Sequence, residues 1–256
     1  MNGEIYQTCF IVVAAKKALS NKINISYAPL KYEHKIEFQF LSEGKLFSKK
    51  PYQAENVPAW YNHCLEKGLS DIFFTTPTSV KDRAFLGYSN ANQNAIVCSY
   101  SNNITFFTAQ WRFDSSLSKW NILYTEQEWR NAPSEKPHFD NNTESFEKVL
   151  LEIKELAHKI GCDYFADLFQ KAVGILSGSY DYLRWDHKMP LPDIPVKNLP
   201  LFKAADIADV FGAMGSWNDS PPYMTHEKGL DKEYESLSDE LLKQNRFALL
   251  YAINEW

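Results

Sequence analysis

The sequence predicts an α+β protein, because the hydrophobic period changes once along the chain. Residues 32–40 and 95–124 alternate apolar with polar side chains, as β-strands with one solvated face do. Beyond residue 142, apolar side chains recur every three or four residues, which is typical of amphipathic helices. A region of strands followed by a region of helices indicates the α+β class.

The N-terminal half, residues 1–135, is predicted to be an aromatic-rich region that is mainly an antiparallel β-meander. Strands are expected at 32–40, 71–75, 85–88, 95–100, 104–113 and 117–124. Asparagine- and serine-containing turns separate the last three of them. One or two short helices are also expected. Residues 5–19 fit either a helix or a buried strand, and Asn56-Val57-Pro58 opens a helix that Gly68 ends.

The C-terminal half, residues 136–256, is predicted to be an all-α module of about four helices. The apolar periodicity places them at 146–160, 163–176, 200–211 and 231–254, and Gly161 and Gly178 end the first two. The proline-rich segment 189–200 cannot be helical. A polar linker at 131–142 marks the change in composition, and the two halves are either separate domains or one continuous domain.

The charge is distributed unevenly between the two halves. Residues 1–135 carry 14 Lys and Arg against 12 Asp and Glu, whereas residues 136–256 carry 13 against 20, a net charge of −7. An acidic half repels nucleic acid, so we expect no nucleic-acid partner. It would attract a basic protein, because complementary charge speeds association. The alternative explanation is an acidic surface that only maintains solubility.

The apolar segments and the cysteines predict a cytoplasmic protein that does not enter a membrane. No basic segment precedes the first apolar run, as a secretory signal would require. The longest apolar run, 9–15, is too short to span a bilayer. The four cysteines are scattered among apolar neighbours without a CxxC spacing, which indicates reduced thiols in the core. We therefore expect no metal and no cofactor.

Two short motifs are weak evidence for catalysis. His63 and Cys64 are adjacent on a predicted helix, so their side chains point about 100° apart and do not form a dyad. Asp206 and Asp209, one turn apart and followed by Asp219, could bind a cation, but such a pair is more typical of the polar face of an amphipathic helix.

The best local cluster of reactive side chains is Asp181, Asp186 and His187, next to Trp185. A carboxylate there would orient the imidazole for general-base catalysis. This cluster is the basis of the alternative hypothesis, a hydrolase-like enzyme with a site between sheet and helices. A solvated loop with aromatic anchors explains the same residues without catalysis.

The most distinctive segment is 211–219, Phe-Gly-Ala-Met-Gly-Ser-Trp-Asn-Asp. Its glycines permit close backbone approach, and its tryptophan supplies a large apolar area. We expect Trp217 to be buried at a joint between helices, with Asn218 or Asp219 capping a turn. The alternative is an exposed anchor for a partner, since tryptophan is enriched at binding hot spots.

Residues 146–256 resemble bacterial proteins associated with immunity to polymorphic or contact-dependent toxins. The resemblance lies in the helical hairpin that ends at Gly178, the proline-rich segment, segment 211–219, and the closing helix with Tyr234, Leu237-Ser238, Leu241 and Asn254. It covers less than half of the chain. It implies binding of a toxin, and it supplies no catalytic residue.

Together these observations favour a non-enzymatic cytoplasmic binding protein, an immunity protein that neutralises a basic toxin domain by direct occlusion. The predicted binding residues are Trp185, Asp186, Trp217 and Asp219, and no catalytic residue is predicted. The alternatives are the hydrolase-like enzyme with Asp181, Asp186 and His187, and a subunit whose helices form a homodimer.

Overall fold

A computed structural model describes residues 1–42, 51–101, 103–133, 135–179 and 189–256. The chain forms two compact units. One holds the sheet and comprises residues 4–75 and 93–137; the other holds most of the helices and comprises residues 1–3, 76–92 and 138–256. These units coincide with the predicted halves near the linker and differ from them at residues 1–3 and 76–92. The division at residue 135 stays a prediction.

The sheet unit contains a six-stranded mixed sheet within the described residues, which together with the helices confirms the α+β class. Its strands are β1 (Glu33–Gln39), β2 (Gln53–Ala54), β3 (Leu69–Thr75), β4 (Ala95–Tyr100), β5 (Ile104–Asp114) and β6 (Lys119–Glu128), in the order β2-β1-β6-β5-β4-β3. Strands β3 to β6 are the predicted antiparallel meander. Strand β1 instead pairs parallel with β6.

Two α-helices belong mainly to the sheet unit, α1 (Gly3–Asn21) and α2 (Val57–Glu66). Residues 5–19, for which both a helix and a buried strand were predicted, lie in α1, which is longer than the expected helix. Helix α2 begins as predicted, with the side chain of Asn56 accepting a hydrogen bond from the Ala59 N–H at 2.8 Å. Cys64 on this helix is fully buried, as expected.

A buried polar network joins α1 to the sheet. Glu33 is 3% exposed, and its carboxylate accepts hydrogen bonds from Gln7 Nε2 at 2.7 Å, from the Leu30 N–H at 2.8 Å, and from the Tyr27 hydroxyl. Tyr124 donates to Gln7 Oε1 at 3.0 Å. Burial raises the pKa of Glu33, although these donors favour its ionised form.

The helical unit contains five α-helices in its described residues, one more than predicted. They are α3 (Thr143–Lys159), α4 (Asp163–Leu176), α5 (Leu199–Ala208), α6 (Pro221–Glu227) and α7 (Asp231–Asn254), with short 3-10 helices at Arg83–Gly87 and Val196–Asn198. Gly161 and Gly178 end α3 and α4 with φ of +77° and +74°, values that glycine adopts without strain. Among the described residues, none of the helices could cross a membrane.

Candidate functional site

Segment 211–219 lies between α5 and α6 and folds back on itself. The backbone N–H of Trp217 donates to the Val210 carbonyl oxygen at 2.9 Å, and the Gly215 N–H donates to Asp219 Oδ2 at 2.8 Å. Gly215 has a φ of +80°, which a side chain would oppose. The segment is therefore a closed turn held by its own backbone and side-chain hydrogen bonds.

Trp217 is fully buried and joins this segment to two helices. Its Nε1 donates to Ser238 Oγ of α7 at 2.8 Å, and Tyr234 of α7 donates its hydroxyl to the Trp217 carbonyl oxygen at 2.8 Å. The rings of Phe165 and Phe169 of α4 lie edge-on, with centroids 5.2 and 5.4 Å away. In this position the indole lies between α4 and α7 and contacts both helices.

Of the four predicted binding residues, the structure describes two. Trp217 is in the interior, and Asp219 is exposed with its carboxylate on the Gly215 N–H. A binding role for either one stays a prediction. Trp185 and Asp186 lie outside the described residues, as do Asp181 and His187 of the alternative enzyme site.

Asp206 and Asp209 do not form the polar face that the helical pattern suggests. Both side chains are almost completely buried, with 1% and 2% of their surface exposed. Asp209 pairs with Arg246 at 3.1 Å and accepts from the Asn2 N–H at 3.0 Å, and Asp206 lies 2.8 Å from the amino group of Met1. Burial opposes ionisation, but Arg246 and the amino group lower the pKa of Asp209.

The segment predicted as a strand at 85–88 is in fact a 3-10 helix, Arg83–Gly87, and this prediction is wrong. The Asp82 side chain caps it by accepting from the Ala84 N–H at 2.9 Å. Leu86 is buried, and its carbonyl oxygen accepts from the Asn2 side chain at 3.2 Å. The local signal for this turn was an aspartate that can bond to the backbone two residues later.

Arg83 ties this 3-10 helix to α7. Its side chain is 8% exposed and binds the carboxylates of Glu235, at 2.6 Å, and Asp239. Its guanidinium also lies over the Tyr234 ring, with Cζ 5.8 Å from the centroid. Burial alone would lower the pKa of Arg83, but the two carboxylates raise it, so its charge is compensated locally.

Gly87 brings the 3-10 helix into direct backbone contact with segment 211–219. A Cβ atom on Gly87 would lie 2.2 Å from the Ala213 nitrogen and 2.8 Å from Gly212 Cα, which are impossible distances. Large apolar side chains stand close to this contact in the sequence. They are Phe85, Tyr88 and Met214, which are 60%, 58% and 93% exposed.

The N-terminal half of α7 is rich in acidic residues, which we call the acidic strip; Asp231, Glu235 and Asp239 lie on one flank of the helix, and Glu233 and Glu240 lie on the other. Five of the ten residues from 231 to 240 are acidic and one is basic; the acidic ones are Asp231, Glu233, Glu235, Asp239 and Glu240. A cleft of about 570 Å³ lies between this strip and the 3-10 helix, lined by Arg83, Phe85, Tyr234 and Glu235 among others. The described residues contain no group of three His, Cys, Asp or Glu side chains arranged to hold a metal ion.

These features describe a surface: a fixed turn with exposed apolar groups next to an acidic helix. The sequence predicted an acidic helical half and indicated the importance of segment 211–219, but it did not predict the 3-10 helix that contacts this segment and α7. Comparison of the chain with protein-family models, with curated proteins and with solved structures found no match.

Proposed function

We propose that this protein binds a basic protein partner and inhibits it by covering it, as the immunity proteins that the C-terminal region resembles do with toxins. The observation that carries the proposal is the acidic strip of α7. Complementary charge accelerates association and selects against acidic partners. Inhibition by occlusion needs a complementary surface on the protein and no reaction centre.

The helix dipole does not account for the whole strip. Carboxylates in the first turn of a helix are stabilised by the helix dipole, which explains Asp231 and Glu233. The dipole effect fades beyond the first turn, yet the strip continues with Glu235, Asp239 and Glu240. The side chains of Glu235 and Asp239 are 63% and 65% exposed, and both contact the single guanidinium of Arg83.

The partner that fits this strip presents lysine and arginine side chains that reach both flanks of α7 over about three helical turns. Exposed ion pairs contribute little affinity each, about 0.2–1 kcal/mol, so the strip acts mainly through the rate of association and through partner choice. A basic toxin domain has this chemistry, and the proposal assigns the helical unit as the part that covers it.

A charge-neutralised variant tests the proposal. In the triple variant Asp231→Asn, Glu233→Gln, Glu240→Gln, three negative charges are removed and both partners of Arg83 are kept. The matched control, Glu144→Gln, Glu147→Gln, Glu152→Gln on α3, removes the same charge from another helix. Proteins that the wild type retains from an extract of the producing cells, and that the strip variant does not, are identified by mass spectrometry and purified.

Calorimetry then measures Kd of the purified partner for all three proteins at low and high salt. The strip variant is expected to bind about tenfold more weakly at low salt, which corresponds to a loss of about 1.4 kcal/mol. The difference should shrink at high salt, because salt screens the attraction between exposed charges. The partner's own activity should fall as the complex forms. The proposal is wrong if no protein distinguishes the wild type from the strip variant, or if the partner stays active in the complex.

A further inference from the structure

We infer that Phe85, Tyr88 and Met214 form an apolar ridge that anchors the basic partner. The ridge would occupy an apolar depression on the partner that is bordered by lysine or arginine side chains. The inference rests on the proposed function and adds where the partner is held and by what chemistry.

The backbone beneath the ridge is held in place from several directions. The contact of Gly87 with Gly212 and Ala213 leaves no room for a side chain. Arg83 holds the start of the 3-10 helix against α7 through Glu235 and Asp239. A surface that is already ordered loses less conformational entropy on binding, so more of its contact energy becomes affinity.

The exposed groups have the composition of a binding hot spot. Aromatic residues and methionine are enriched at the centres of protein interfaces, where a few side chains contribute most of the affinity. The rings of Phe85 and Tyr88 lie near each other, with centroids 6.0 Å apart. The Met214 side chain is 93% exposed at the turn of segment 211–219. Exposed aromatic side chains so close together leave apolar area in water that a partner would cover.

The charges next to the ridge indicate a basic border on the partner. Asp82 directly precedes the 3-10 helix and follows the exposed Lys81, and Glu235 and Asp239 lie on the α7 surface that the helix contacts. These three carboxylates outnumber the two cations, Lys81 and Arg83, so the border keeps a net negative charge. Arg83 is buried between these carboxylates, so its positive charge faces them and not solvent. An apolar protrusion with an acidic border fits an apolar depression with a basic border.

A phage-displayed library of random 12-residue peptides, selected on the wild-type protein, tests the ridge directly, because the selection needs no purified partner. We expect enriched peptides to combine large apolar residues with a net positive charge. Their affinity should fall about 10- to 100-fold for the double variant Phe85→Ala, Tyr88→Ala, since each truncated hot-spot residue costs more than about 1 kcal/mol. The control Tyr223→Ala, Val196→Ala removes two comparably exposed side chains elsewhere and should change affinity less than about threefold.

Thermal unfolding of both double variants shows whether each is folded, and a Met214→Ala variant examines the third ridge residue without touching the 3-10 helix. The ridge inference is overturned if no peptides are enriched, or if enriched peptides bind the Phe85/Tyr88 variant as well as the wild type. If the natural partner responds to the α7 strip variant and not to the ridge variant, the ridge fails and the proposed function stands. If it responds to neither, both fail.

Discussion

Replacing Trp217 tests whether the glycine–tryptophan segment holds the helical unit together. The side chain is fully buried, and truncating a buried tryptophan to alanine costs about 3–5 kcal/mol. Trp217 lies near the top of this range, because aromatic pairs add about 0.5–1.5 kcal/mol each beyond burial and its ring meets Phe165, Phe169 and Tyr234. We therefore expect Trp217→Ala to lower the free energy of unfolding by about 5 kcal/mol.

A milder substitution separates packing from hydrogen bonding. Trp217→Phe keeps an aromatic ring but removes the donor to Ser238 Oγ, which is then buried without that partner. The smaller ring and the lost bond should together cost about 2 kcal/mol. In a double-mutant cycle with Ser238→Ala, the two positions should show a coupling energy of about 1 kcal/mol.

Urea unfolding at pH 7, followed by far-UV circular dichroism, measures these values for the wild type and each variant. The reasoning would be refuted if Trp217→Ala cost less than about 1 kcal/mol, or if the cycle gave no coupling. In either case the indole would not be the joint between α4 and α7 that the contacts indicate.

Three further predictions concern stability. Gly87→Ala should destabilise the protein by about 2 kcal/mol or more in the same urea assay, because the new Cβ would collide with the Ala213 backbone; a change below about 0.5 kcal/mol would contradict the contact. Because the pKa of Glu33 is raised in the folded state, its stabilising contribution is complete below the unfolded value near 4.5 and is lost as the pH rises through the folded pKa. The unfolding free energy of Glu33→Gln should therefore not fall in this way as the pH rises. If the unfolding free energies of the wild type and the variant changed equally with pH, the raised pKa of Glu33 would be contradicted. The pKa of Asp209 is shifted in the opposite direction. Its contribution to the free energy of unfolding is therefore present above the unfolded pKa of 3.8 and is lost as the pH falls through the lowered folded pKa. Asp209→Asn should therefore cost about 3 kcal/mol at pH 7 by leaving Arg246 buried without this carboxylate, and the difference from wild type should narrow in acid.

The elements that the sequence predicted correctly are those with a strong local pattern. Strands β4 and β5, helix α7 and the Asn56 cap of α2 all follow from periodicity or from one capping side chain. In each case the signal and the structure lie within a few residues of each other, so no distant contact is needed to form the element.

Most of the wrong predictions concern residues whose conformation or burial depends on contacts with residues far away in the sequence. Residues 85–88 have apolar residues suited to a strand, but Asp82 caps a 3-10 helix there, and Gly87 of that helix lies against Ala213, far along the chain. The parallel pairing of β1 with β6 joins residues more than 80 positions apart and left no trace in the alternation of β1. Asp206 and Asp209 looked like surface residues because the cations that allow their burial, Arg246 and the Met1 amino group, are remote in sequence.

The candidate surface also combines features that the sequence predicted with features that it did not predict. The acidic composition of the helical half and the presence of a tryptophan joint were readable from the chain, because charge and apolar periodicity are properties of single segments. Which side chains the surface exposes was readable only in part. Trp217 is buried, as expected, but Phe85, which was predicted to lie in a strand, is exposed on a 3-10 helix.

By itself the sequence determined the α+β class, most of the helices and strands, and the acidic character of the helical half. These follow from the hydrophobic period and from charge, which act between neighbouring residues. The tertiary structure alone decided the parallel strand pair, the burial of the two aspartates and the placing of exposed apolar groups beside the acidic helix. Each of these depends on close packing between segments far apart in the chain, where the fit of one atom to another selects among conformations that are locally equivalent.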